Sequence, residues 1–272
     1  MHAFSYHRAR TVTEAVQQVG ASDAAAFLAG GMTLIPALKL RLAAPSLLVD
    51  VGSLGALRAI TAERDLVTIG ALASHASVAE SPVVQERLPA VAALAAGIGD
   101  AQVRNRGTIG GSLANNDPAT DYPAAVLALA ATIHTDRRAI AADAFFIGMF
   151  ETALASDELI TAIAFRRPRR AAYVKFSRPG SGYALAGVFV AETADGPRVA
   201  VTGAGPCVFR VPEIEAALAT RFAPDAIAED AVAPDDLISD LHASAEYRAH
   251  LVSVVARRAI AAAVAAPLRQ TL

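Results

Sequence analysis

Two short segments carry the residue types from which a phosphate site is built. Ala29-Gly30-Gly31-Met32-Thr33-Leu34-Ile35-Pro36 and Arg104-Asn105-Arg106-Gly107-Thr108-Ile109-Gly110-Gly111-Ser112-Leu113-Ala114-Asn115 each set a glycine pair among apolar residues. Such a pair offers consecutive backbone N–H groups with no side chain in the way, and a concave row of donors suits a phosphate or diphosphate. Thr33, Thr108 and Ser112 add hydroxyls beside the glycines. Hydrogen bonds to a charged acceptor contribute about 1.5–3 kcal/mol each, so roughly four or five of them hold a diphosphate without a lysine. A helix after each turn would add its positive end. A single glycine pair is explained as well by a tight turn with positive φ. Two pairs, each trailed by hydroxyls and a helical pattern, put the phosphate reading on an equal footing. Asp117 and Asp121 flank a helix expected to open at Pro118. Acids there are ordinary partners of a helix N-terminus. Asp121, one turn in, is also placed to accept hydrogen bonds from sugar hydroxyls, the usual task of an acid in a nucleotide site.

Other glycine motifs fail on context. Gly97-Ile98-Gly99 begins like a dinucleotide fingerprint, but Gln102 stands where the third glycine belongs and no strand-then-helix pattern surrounds it. Gly203-Ala204-Gly205 runs into Pro206. Gly110-Gly111-Ser112-Leu113-Ala114 loosely resembles a nucleophile elbow. A hydrolase built on Ser112 needs a later histidine, and His134, His242 and His250 stand in no telling context.

The elements that must position these segments follow from hydrophobic period and breakers. Thr13–Val19 reads as a short amphipathic helix, Ala25–Ala29 as a buried strand, Leu34–Leu42 as a helix and Leu47–Val51 as a strand. Arg58–Thr61 and Leu66–Ile69 read as a hairpin. Pro82 and Pro89 bracket short helices, the second continuing through Leu88–Ala96. The stretch 97–111 reads as a glycine-punctuated segment, Pro118–Ala131 as a helix, and Ile133–Thr135 and Leu159–Phe165 as strands. Arg166-Arg167-Pro168-Arg169-Arg170 is read as a solvated linker rather than a nucleic-acid patch. Beyond it, strands at Tyr173–Ser177, Val188–Glu192 and Val199–Thr202 and helices at Pro212–Ala219 and Glu246–Ala265 form a further α+β unit.

At 272 residues the chain is long enough for two domains, or one large one with an appendage. Hydrophobic residues make up 54%, but no uninterrupted run reaches the roughly 18–20 residues of a membrane span. The start, Met1–His7, has no apolar signal core, so a cytoplasmic protein is expected. A net charge of -2 gives no electrostatic reason to bind nucleic acid. The one cysteine, Cys207, excludes an intrachain disulfide, and an iron–sulfur cluster held by this chain alone takes four ligands. The six histidines are scattered, which argues against a dedicated metal site. Redox chemistry in such a chain has to come from a bound organic cofactor.

The run Ala29–Arg41 resembles the first flavin-binding segment of the FAD subunit of molybdenum hydroxylases, a family that includes the carbon monoxide dehydrogenase medium subunit and the xanthine dehydrogenase FAD domain. Val103–Ser112, with Asp117–Asp121, resembles its second segment. Asp157–Ile160, Ala172–Phe176 and Gly203–Pro206 with Arg210 and Glu215 are similar to later signatures, so the resemblance runs from about Tyr6 to the final helix. It implies an α+β fold: an FAD-binding domain of the vanillyl-alcohol-oxidase (PCMH) type in two α/β subdomains, 1–57 and 58–168, then a small α+β domain over 171–272. It also implies an FAD pyrophosphate between the glycine loops. Ala29, Gly30, Gly31, Met32, Thr33 and Leu34, with Thr108, Gly110, Gly111 and Ser112, would then contact the diphosphate and ribityl chain, and Asn115 belongs to the same cofactor-binding set. Asp121 would take a sugar or ribityl hydroxyl. Ile98 would lie near the isoalloxazine, Ile160 near the adenine or ring edge, and Lys175 would reach the flavin from the C-terminal side. By residue type alone, Ile98 and Ile160 read as core, whereas Lys175 in an apolar strand is unusual, because lysine is rarely buried unpaired. Tyr183 is an aromatic candidate for the flavin face. Met32-Thr33 departs from the polar-plus-serine pair common in the family, though Thr33 keeps a hydroxyl.

The function implied is electron transfer. A small subunit with [2Fe-2S] clusters would pass electrons to FAD in this chain, which would deliver them to an acceptor such as NAD or a quinone. A large molybdopterin subunit would hydroxylate the substrate, in a dimer of heterotrimers. The absence of an acid–base pair fits, since the cofactor carries such chemistry. Alternatives are a stand-alone FAD-dependent oxidoreductase, a serine hydrolase using Ser112, and a flavin-free scaffold.

Overall fold

A β-α-β-α-β run opens the chain, and the computed structural model describes residues 1–266. Strands β1 (Ser5–Arg8), β2 (Ala25–Leu28) and β3 (Leu47–Asp50) are parallel, with β3 between the other two. The crossovers are helices α1 (Val12–Gly20), whose cap Thr11 accepts a hydrogen bond from Glu14 N at 3.1 Å, and α2 (Leu34–Lys39). Helix α2 is shorter than its apolar spacing predicts. Arg41 turns left-handed at φ 60° and Leu42 N donates back to Ala37 O at 2.9 Å, closing the helix.

The second unit is an antiparallel sheet with helices inserted between its strands. Strands β4 (Ile60–Glu63) and β5 (Leu66–Gly70) form the expected hairpin. Six helices follow: α3 (His75–Glu80), α4 (Pro82–Arg87), α5 (Pro89–Ala96), α6 (Ala101–Arg106), α7 (Ile109–Asn115) and α8 (Tyr122–Ala128). Strands β6 (Thr132–Thr135), β7 (Ala139–Ala141) and β10 (Ile160–Arg166) complete a sheet of order β4-β5-β10-β6-β7. The hairpin of β8 (Phe146–Gly148) and β9 (Glu151–Thr152) stands apart from it. Two sequence readings need correction here. The stretch 97–111 holds helix α6 and the start of α7, each opened by a capping side chain: Asp100 Oδ1 accepts from Val103 N at 2.8 Å, and Thr108 Oγ1 accepts from Gly111 N at 3.1 Å. Helix α8 begins at Tyr122, not Pro118. Asp117 folds residues 117–120 into a turn, and the Pro118 carbonyl is taken by Thr202 Oγ1 and Gly203 N, both at 2.7 Å.

The third unit is a meander of β11 (Arg170–Ser177), β12 (Ala184–Thr193), β13 (Gly196–Thr202) and β14 (Phe209–Arg210), followed by α9 (Pro212–Thr220) and α10 (Ala245–Ala265). Strand β12 is nearly all apolar because both its faces are buried. Val188 and Val190 lie in a core with Val252, Val255 and Ala256 of α10, while Phe189 and Ala191 point into the core of the second unit. The arginine run is only partly a linker. Arg170 begins β11 opposite Glu192, with Nε 2.5 Å from its carboxylate and the guanidinium 4.2 Å over the Phe222 ring. The α+β class expected from the sequence is the one observed. The last six residues expected in the third unit, 267–272, lie outside the described residues. Among the described residues no helix is long and apolar enough to cross a membrane.

Phe189 is fully buried in a core shared by two units. Replacing it with alanine is expected to cost about 3–5 kcal/mol, read as a lower midpoint in chemical denaturation of the whole chain.

Candidate functional site

The two glycine segments meet backbone against backbone. A Cβ added at Gly30 would lie 2.0 Å from Arg106 O and 3.0 Å from Gly107 Cα, so no other residue fits without parting the first unit from the second. Gly31 has φ +75°, a conformation that side chains resist. The N–H groups of Gly30, Gly31, Met32, Thr33 and Leu34 have no protein acceptor among the described residues. Backbone donors inside proteins are nearly always paired. A run of unpaired donors at the end of β2 is therefore a ready anion cradle.

The second segment is built differently from the sequence expectation. Its glycines lie inside the first turn of the seven-residue helix α7, and their donors are already used. Ile109 N donates to Ala73 O at 3.1 Å, Gly110 N to Ala71 O at 2.9 Å and Gly111 N to Thr108 Oγ1 at 3.1 Å. Glycine is needed at 110 for packing, since a Cβ there would lie 2.6 Å from Ala71 Cβ. This segment therefore offers shape and the hydroxyls of Thr108 and Ser112 rather than a second row of N–H groups.

Between the segments lies a cavity of about 620 Å³, well inside the roughly 300–1,000 Å³ of small-molecule sites. Its walls include Ala29 to Leu34, Ile98, Thr108, Gly110, Gly111, Ser112, Asn115, Asp121 and Ile160, together with Tyr183 from the loop before β12. Lys175 is not in the wall. Its ammonium donates to Gly97 O at 3.0 Å, Asp121 Oδ2 at 3.0 Å and Gly182 O at 2.9 Å, so all three donors are used. Lys175 therefore acts on the cavity through Asp121 and the Tyr183 loop. Asp121 is 5% exposed and also accepts a short hydrogen bond from the Tyr173 hydroxyl. Burial pushes its carboxyl up, against the opposing pull of Lys175 and Tyr173. Each carboxylate oxygen keeps a lone pair free for a ligand hydroxyl.

Among the wall residues given no individual role in the sequence reading are His75, Gly107 and Glu158. Glu158 is gripped by Arg138 Nε and Nη2 at 2.8 and 2.7 Å, by Thr135 Oγ1 at 2.8 Å and by Ala155 N at 3.0 Å. The Arg138 hydrogen bonds lead in drawing its carboxyl down to about 2. Burial pulls the His75 imidazole down to about 4. His75 gave no local signal, because one histidine in an apolar stretch has no spacing to read. The histidines considered for a Ser112 nucleophile lie elsewhere: His134 is on β6, His242 precedes α10 and His250 lies within it.

A donor row, hydroxyls and a buried acid around a cavity between two α/β units define a protein that binds a nucleotide cofactor. Residues 2–167 match the family model described as the FAD-binding domain in molybdopterin dehydrogenase. The nicotine 6-hydroxylase medium subunit of Paenarthrobacter nicotinovorans is 37% identical, over 95% of this chain and 96% of its own. The carbon monoxide dehydrogenase medium chain of Hydrogenophaga pseudoflava is 37% identical, over 96% of each. Among solved structures, a carbon monoxide dehydrogenase from Hydrogenophaga pseudoflava lacking the Mo-pyranopterin moiety of the molybdenum cofactor superposes with a TM-score of 0.91 at 37% identity, covering 97% of this chain and 98% of that one. The chain belongs to the FAD-binding family of the molybdopterin dehydrogenases, and it is an FAD-binding oxidoreductase subunit of the molybdenum hydroxylase type.

Gly30→Ala is expected to lower stability by about 1–3 kcal/mol or more, because the added methyl meets a carbonyl oxygen that cannot step aside; thermal denaturation reads this directly. Glu158 titrates near 2 in the folded chain and near 4.5 unfolded, so its contribution is full above the unfolded value and fades as pH falls toward 2. Glu158→Gln should therefore lower the melting temperature at neutral pH, with the gap from wild type narrowing steadily below the ordinary glutamate range.

Proposed function

We propose that this chain is the electron-transfer subunit of a heterotrimeric molybdenum hydroxylase. Electrons from a [2Fe-2S] partner subunit are taken up on FAD and passed to an external acceptor such as NAD or a quinone. The observation that carries the reading is the row of unpaired N–H groups from Gly30 to Leu34, facing a cavity large enough for a dinucleotide. In this reading residues 1–57 and 58–168 form the flavin-binding domain, and 171–272 closes over it.

The residues present fit FAD. Ala29, Gly30, Gly31, Met32, Thr33 and Leu34 would hold the diphosphate through main-chain donors, which leave no polar hydrogen orphaned once it binds. Thr108, Ser112 and Asn115 supply polar side chains on the opposite wall, where Gly110 and Gly111 keep the helix close. Asp121 would accept a ribityl or sugar hydroxyl. Ile98 and Ile160 give the apolar surface on which a ring packs and from which water is excluded. When bound, FAD supplies a centre that exchanges electrons one or two at a time.

The partners are argued from what the chain lacks and what its relatives are. With Cys207 as its single cysteine it cannot ligate a cluster itself. It matches medium subunits and chains over nearly their whole length. A large molybdopterin subunit and a small [2Fe-2S] subunit would complete the enzyme as a dimer of heterotrimers, in the cytoplasm.

A visible absorption spectrum is the test. The purified chain with FAD should show a flavin spectrum, and Gly110→Val should abolish it by driving α7 off Ala71, while Ser112→Ala keeps it. A folded chain that stays colourless, both alone with excess FAD and co-expressed with the two partner subunits, would overturn the reading. A yellow chain that turns over substrate without partners would favour the stand-alone oxidoreductase.

A further inference from the structure

In the FAD reading the cavity takes a diphosphate, yet among the described residues no lysine or arginine lines it. Its ionisable wall residues are His75, Asp121, Glu158 and Tyr183. Asp121 is already engaged by Lys175 and Glu158 by Arg138. His75 is neutral at pH 7, because burial pulls its imidazole down to about 4, and it offers the cavity an uncharged ring N–H. It is 5% exposed; its Nδ1 is buried with essentially no accessible surface and no hydrogen-bond partner, so Nε2 is the nitrogen a ligand in the cavity could reach. No side-chain hydrogen bond joins the imidazole to protein among the described residues.

Position points the same way. His75 opens α3, and its N–H donates to Gly107 O at 3.0 Å. Gly107 has φ −59° and ψ 143°, which any residue can adopt, so its backbone does not ask for glycine. A Cβ there would lie 2.5 Å from His75 Nε2, and the imbedded imidazole explains the missing side chain. Gly30 also lies against Gly107. The imidazole thus stands where the two glycine segments meet, steadied by the Tyr122 ring at 5.3 Å.

We propose that His75 is a ligand of the flavin nucleotide's diphosphate, donating a ring N–H to a phosphate oxygen at the junction of the two glycine segments. The proposal rests on the FAD reading above and adds to it an uncharged ring donor for the phosphate.

Flavins with and without the diphosphate separate this role from a packing role. Affinities of the full chain for FAD and for riboflavin are measured by fluorescence titration, in the assembled complex if flavin binds only there. His75→Leu should weaken FAD by roughly tenfold to a hundredfold, the worth of one hydrogen bond to a charged group, and leave riboflavin within about twofold. His75→Gln, which keeps an N–H donor, should recover most of the loss. Equal weakening of both flavins, or no change in either, overturns the role. A measurement on the wild-type chain does not depend on a variant folding. The His75 Cε1–H resonance, assigned by elimination through His→Gln variants of the other histidines, should shift with FAD and not with riboflavin. An equal response to both sinks the proposal. A wild-type protein that binds riboflavin and FAD equally well overturns the His75 role while leaving a flavin site intact; one that binds neither overturns both readings.

Discussion

The site depends on a contact between two pieces of backbone. Gly30 stands so close to the Arg106 carbonyl that even a methyl group has no room. This approach seats the first, parallel sheet against the helices of the second unit and leaves the cavity along the seam. It occurs at the carboxyl end of β2, where open α/β sheets present their ligand sites. Gly110 makes a matching approach on the other wall, where α7 rests on Ala71. The distance between the walls is therefore set by the absence of side chains, and the donors of one wall stay free while those of the other are spent on packing.

The third unit holds the cavity's acid in place. Tyr173 and Lys175, both on β11, converge on Asp121, while Thr202 and Gly203 hold the Pro118 carbonyl one turn earlier. Lys175 also grips Gly97 and Gly182, so one ammonium joins the end of α5, the start of α8 and the loop that carries Tyr183. A buried ion pair of this kind adds little net stability, because desolvation offsets the attraction, and its use here is to fix geometry. The two-faced burial of β12 serves the same end. Val188 and Val190 anchor its own unit and Phe189 anchors the neighbouring one, so the clamp on Asp121 does not stand on loops.

Much of the fold was legible in the sequence because it is written in short-range signals. The hairpin at 60–70, the helices opened by Pro82 and Pro89 and the long helix ending near Ala265 all follow from period, caps and breakers within a few residues. The glycine pairs pointed to the cavity walls, and Asp121 and Ile160 were placed there as well. Misreadings fell where distant partners decide. Pro118–Thr120 has a helical pattern, but donors more than 80 residues away hold its carbonyls in a turn. Arg170 looks like solvated linker until Glu192 and Phe222 arrive beside it.

Motifs and the family resemblance they carry determined an α+β, FAD-binding chain, and composition showed a single cysteine, too few to hold an iron–sulfur cluster. Only the tertiary structure decided which glycine segment keeps its donors, where the ammonium of Lys175 goes and that His75 reaches the cavity. The reason is physical. Backbone conformation answers to neighbours along the chain, whereas whether an N–H or an ammonium is free depends on acceptors such as the Ala71, Ala73 and Gly97 carbonyls, which only folding brings within hydrogen-bond reach.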